Sequence, residues 1–190
     1  MRLKKINAVL GLLSILLILL HIGYSVFCYL TFYYNPVLKL VFAYPFMVCV
    51  CLHAICGMMI VFTMKDGGRA DLYPKQNKRT ILQRASAALI FPLLILHINT
   101  FSLMQASAER GYTVCIILLI LAEMLFFADV ITHVAVSLTN SFITLGWLSD
   151  RELQKSIDKV AYVIGAIFFV ISVYAIVKGQ VVMFLMSNGG

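Results

Sequence analysis

Charged residues are scarce in this chain of 190 residues: Asp, Glu, Lys and Arg make up 12% of it, against 62% hydrophobic residues. Mean hydropathy is correspondingly high, at +0.98. A soluble domain of this size cannot bury so much apolar surface, so the composition excludes one and points to an integral membrane protein. The chain also lacks any polar stretch long enough for a separate catalytic head, and residues 1–190 read as a single domain. Five stretches reach the roughly 20 residues that a bilayer core requires. They fall at about 6–30, 38–64, 80–105, 112–138 and 150–186, the last becoming apolar from about 157. The expected fold is all-α, a bundle of five transmembrane helices. The first segment is too long for a signal-peptide core and has no small-x-small cleavage site, so it reads as a retained helix.

The cysteine pattern excludes two further classes. Cys28, Cys49, Cys51, Cys56 and Cys115 lie in or at the ends of apolar segments, where a disulfide framework does not belong. Cys49, Cys51 and His53 form Cys-x-Cys-x-His, which is not the Cys-x-x-Cys-His that attaches a c-type haem. These cysteines read as small buried hydrophobes.

The net charge of +7 does not indicate nucleic acid, because the basic residues follow the loops and form no aromatic-interleaved patch. They obey the positive-inside rule instead. Arg2, Lys4, Lys5, Lys65, Arg69, Lys75, Lys78, Arg79, Arg84, Arg151, Lys155 and Lys159 cluster on one side, and only Lys39, Arg110 and Lys178 on the other. This places the N-terminus in the cytoplasm and the C-terminus outside. Residues 65–79, with two glycines, a proline and alternating charge, read as an exposed cytoplasmic connection able to dock a soluble partner. Ser149 and Glu152 have capping-box spacing, so the last helix is expected to start in the cytoplasm, its charged first turns forming a second docking surface.

The four histidines are distributed one to each of the first four segments: His21, His53, His97 and His133. An ionisable side chain within a membrane span is rare and marks function. With inner boundaries near residues 6, 64, 80 and 139, helix rise sets their depths at about 22 Å (His21), 16 Å (His53), 25 Å (His97) and 9 Å (His133). His21 and His97 therefore share an outer level, and His53 and His133 an inner one. Histidines that merely bond a hydroxyl or carbonyl on a neighbouring helix would sit at scattered depths. Four ligands split between two depths cannot surround one bare metal ion. Two b-type haems, each held by two imidazoles, account for the pattern and would make an electron path across the membrane.

The third segment begins Ile81-Leu-Gln-Arg84-Ala-Ser86, with His97 thirteen residues after the arginine, and Val9-Leu-Gly11 precedes His21 by ten. Together with chain length, helix count and histidine placement, this resembles the dihaem cytochrome b membrane subunit of succinate dehydrogenase and fumarate reductase along nearly the whole chain. Ala87 stands where that family usually has glycine. The resemblance implies a multi-pass protein of a prokaryotic cytoplasmic membrane that anchors an iron-sulfur subunit and an FAD-containing flavoprotein on the cytoplasmic side. It implies that His53 with His133 holds the haem near the iron-sulfur partner, and His21 with His97 the outer haem. Electrons would pass between the clusters and a quinone, menaquinone being the species implied, while dicarboxylate catalysis stays in the partner chains.

Arg84 and Ser86 are placed to bind a propionate of the inner haem, their plainer roles being headgroup snorkelling and a bond to the helix's own carbonyl. Asp129 and Glu123, acids within the fourth segment, are candidates for proton transfer or quinone chemistry, or are simply protonated and bonded to a neighbouring helix. Residues 26–36 contain no acid, which leaves the quinone site unassigned. Rival readings are the dihaem anchor of another oxidoreductase and a haem-free, proton-coupled transporter.

Overall fold

The structure, a computed structural model, describes residues 2–63 and 74–188. Five helices make up the described chain: α1 (Arg2–Thr31), α2 (Pro36–Thr63), α3 (Pro74–Glu109), α4 (Thr113–Leu145) and α5 (Arg151–Asn188). Each contains a stretch long and apolar enough to cross a membrane. The protein is an all-α, multi-pass membrane protein.

Local chemistry sets the helix ends. Asn35 caps α2, its Oδ1 accepting from the backbone N–H groups of Val37 (2.9 Å) and Leu38 (3.2 Å), with Pro36 in the first helical position where no donor is needed. Tyr24 staples the α1–α2 turn by donating to the Asn35 carbonyl (2.8 Å) and accepting from its N–H (3.1 Å). At the end of α4, Gly146 adopts φ 82° and Trp147 N–H reaches back to Phe142 O at 2.9 Å, the left-handed ending that glycine permits.

Three boundaries differ from those expected from hydropathy. The third helix begins at Pro74, so 74–79 of the expected loop is helical, while 65–73 lies outside the described residues. The fourth runs to Leu145 rather than about 138. Its last turns carry Thr139, Asn140 and Ser141, which lower hydropathy, yet Thr139 and Asn140 make side-chain bonds inside the bundle and Ser141 is buried there, so the helix continues. The capping box expected of Ser149 and Glu152 is not formed: Asp150 caps α5, its Oδ1 accepting from Glu152 N–H at 2.8 Å, and the Glu152 side chain pairs with Lys155.

Among the described residues, α1 packs on α2, α4 and α5, and α3 packs on α4 and α5, while α4 also packs on α5. The α2 helix touches only α1; α1 and α3, and likewise α2 and α4, do not pack on each other. The first four helices thus stand as a bundle in the order α2, α1, α4, α3, with α5 laid along one side. Close approach of α5 to α4 needs Gly165, where a Cβ would come 2.5 Å from Ile131 Cγ2. Small residues at such crossings are how helices associate when lipid removes the hydrophobic drive.

Candidate functional site

One pair of helices that do not pack on each other, α2 and α4, carries facing histidines. His53 on α2 and His133 on α4 stand with ring centroids 6.4 Å apart and planes at 69°. His21 lies on α1 and His97 on α3, helices that likewise do not pack on each other. Shared depth suggests both pairs, and the structure brings the His53 and His133 rings together. An imidazole nitrogen binds a transition metal at about 2.0–2.1 Å, with its ring centre roughly 1 Å behind, so two imidazoles across one metal have centres about 6 Å apart. The His53–His133 separation is close to that value.

Three of the rings also have their other nitrogen engaged. His53 Nδ1 lies 3.1 Å from the Asn7 carbonyl oxygen, an approach made possible by Gly11, where a Cβ would stand 3.1 Å from His53 Cε1. His133 Nδ1 lies 3.0 Å from Ser86 Oγ. The Ser86 hydroxyl donates to Gln83 O at 3.1 Å, so its oxygen accepts from His133. His97 Nδ1 lies 2.7 Å from Glu123 Oε2. In each case an oxygen acceptor puts the proton on Nδ1 and leaves the Nε2 lone pair for another bond, the arrangement of metal-ligating histidines. A long 3.4 Å contact from Ser137 Oγ is the one hydrogen bond seen at His133 Nε2. Aromatic rings wall the outer pair: His21 stacks on Phe46 (5.6 Å, 18°) and His97 on Phe126 (4.8 Å, 27°).

The donor set also discriminates between cofactors. Among the described residues no three His, Cys, Asp or Glu side chains gather to hold a metal ion. Donors come in twos, which suits axial ligation of a macrocycle and not a tetrahedral site. The residues present therefore fit a bis-histidine haem. All five cysteines are free thiols; Cys49 is buried and accepts from Ser14 Oγ at 3.3 Å.

Other expected site residues are placed differently. Ser86 is buried and turned to His133, whereas Arg84 is exposed. Two positions along a helix are about 200° around its axis, so the two do not face one group together. Ser86 Oγ bonds the His133 imidazole. Glu123 is 2% exposed, with Oε1 2.6 Å from Thr100 Oγ1 and Oε2 on His97, so both its oxygens are taken. Asp129 is half-buried, and its Oδ2 has no hydrogen-bond partner.

A polar knot near the α3 and α5 starts was not anticipated. Arg79 grips Asp158 with both terminal nitrogens (2.6 and 2.9 Å), bonds the Val136 carbonyl (2.9 Å) and touches Thr139 Oγ1, which itself donates to Asp158 (2.8 Å). Asp158 is thus turned inward to tie α5 to α3 and α4. Gln83 extends the network, donating to Ser137 (3.0 Å) and accepting from Asn140 (2.8 Å). The spacing of Arg79, Thr139 and Asp158 in sequence carries no signal of this meeting; Gln83 was visible only as part of the motif around Arg84.

The fold defines a polytopic helical membrane protein, with the His53 and His133 imidazoles facing each other inside its bundle. Compared with protein-family models, curated proteins and solved structures, the chain matches none.

Proposed function

We propose that the chain is the cytochrome b membrane-anchor subunit of a succinate:quinone or quinol:fumarate oxidoreductase, holding two b-type haems. The observation that carries the haem reading is the His53–His133 pair, its ring centres 6.4 Å apart across helices that do not pack, together with the bonding of Nδ1 to oxygen in three of the four rings; His21 with His97 is the second pair that the reading requires. The resemblance noted around Arg84 and His97 supplies the oxidoreductase family. The haems would supply one-electron chemistry at two depths.

The chain's own residues do the rest. Asn7, Ser86 and Glu123 hold three imidazoles so that Nε2 is the ligand atom, and Gly11 gives His53 room against α1. The apolar helix faces keep water from the bundle interior. Asp129, whose free carboxyl oxygen lies in that interior, is the residue we assign to proton movement linked to a quinone such as menaquinone. In this reading the N-terminal face is cytoplasmic, in a prokaryotic inner membrane, and there the chain anchors an iron-sulfur subunit and a flavoprotein that bears the dicarboxylate site.

The test is purification of the complex with identification of co-eluting subunits, then reduced-minus-oxidised spectra of single histidine replacements. Two haems b per chain are expected. Loss of His21 or His97 should remove one component and loss of His53 or His133 the other. Absence of haem absorption refutes the electron-transfer role, and a flavoprotein partner inactive on succinate and fumarate refutes the substrate assignment alone.

A further inference from the structure

The acceptors that hold the histidines are not alike. Asn7 offers His53 a peptide carbonyl, and Ser86 offers His133 a hydroxyl oxygen. His97 rests on a carboxyl group, Glu123, at 2.7 Å, and that side chain is 2% exposed. Such a contact in an apolar interior survives only if the second carboxyl oxygen is also satisfied. Thr100 does this: its Oγ1 stands 2.6 Å from Glu123 Oε1 and 2.9 Å from Leu96 O. The hydroxyl can donate to an ionised Glu123, or accept from a protonated one while donating to the Leu96 carbonyl. In both states Oε2 remains an acceptor for His97 Nδ1–H. Phe126, stacked on the imidazole at 4.8 Å, closes one face of the ring and limits its rotation.

We propose that Glu123 is a positioning residue for the outer centre, locking His97 with Nε2 as the ligand atom and making that nitrogen a stronger donor than the inner imidazoles. This rests on the dihaem reading above. A carboxyl acceptor on Nδ1 draws that proton away and raises the basicity of Nε2. A more basic axial imidazole stabilises the ferric state, which lowers the reduction potential of the iron it holds. Glu123 acts through His97 and touches no reacting atom.

Redox titration of the purified complex, followed by α-band absorption and low-temperature electron paramagnetic resonance, tests this. In Glu123→Gln the amide oxygen still accepts from Nδ1–H but carries less negative charge. The component that His97 replacement removes should be retained, with a raised midpoint potential, while the other stays in place. In Glu123→Leu the acceptor is gone, so retention of that component should weaken about 10- to 100-fold, with an altered low-spin ferric signal. Should the leucine variant fail to assemble, the near-isosteric glutamine variant decides the matter. Unmoved potentials and signals in the variants overturn the proposal, as do equal shifts of both components. A wild-type complex without haem absorption overturns the dihaem reading and this inference with it; haem present with unresponsive Glu123 variants overturns this inference alone.

Discussion

His53 and His133 face each other at 6.4 Å although the helices that carry them, α2 and α4, do not touch. The rings are held in place from outside the pair. Asn7 and Gly11 of α1 fit around His53, and Ser86 of α3 holds His133. The neighbouring helices α1 and α3 thus supply their supports, which makes those supports open to test.

Gly11→Ala should disturb the inner pair selectively. The new Cβ would stand 3.1 Å from His53 Cε1 and 3.4 Å from Nδ1, so the ring or α1 must shift. Overpacking of this kind costs about 1–3 kcal/mol. The spectral component lost in His53 variants should weaken or shift, with the other intact; Gly11→Leu should abolish it.

Ser86→Ala removes the acceptor of His133 Nδ1–H without touching the ligand atom. Loss of such a support weakens metal-site affinity by about 10- to 100-fold. Titration of haem into the depleted complex should show that loss at the inner site. Ser86→Thr, which restores the hydroxyl, should recover most of it.

The Arg79–Asp158 pair should matter for stability and not for haem content. Its side chains are 22% and 19% exposed, and Asp158 also accepts from Thr139. Removing one partner of a fully buried pair costs about 3–5 kcal/mol; partial exposure argues for about 2 kcal/mol here. Asp158→Ala should lower the detergent unfolding midpoint, and Arg79→Leu with Asp158→Leu together should restore part of it. A double variant whose loss equals the sum of the two single losses would show that the pair does not couple.

Asp129→Asn keeps size and hydrogen bonding but deletes the titratable group. Its Oδ2 has no partner, so structural damage should be small. Quinone-linked turnover should fall, with haem content and dye-linked flavoprotein activity retained. An unchanged quinone-linked rate removes Asp129 from proton movement.

Lys155, exposed at the start of α5 beside Glu152, should crosslink to the iron-sulfur partner. Crosslinks obtained only from Lys39 or Lys178, at the opposite end of the bundle, would invert the orientation.

Five helices, their serial reversal and one histidine on each of the first four were legible in the chain itself, because apolar run length and rise per residue are local properties. The same rise showed which histidines share a depth. Helix ends were less legible: Ser137, Thr139 and Asn140 depress hydropathy, and only their partners on α3 and α5 explain why α4 runs through them. What the chain alone could not show is which oxygen meets each Nδ1. Asn7 acts through its peptide carbonyl, a group every residue owns, so no side chain advertises it. Glu123 and His97, or Arg79 and Asp158, meet across different helices, 26 and 79 positions apart in sequence. Such pairings depend on the rotation of each helix about its axis, which is set by packing between helices and only then places one donor within reach of one acceptor.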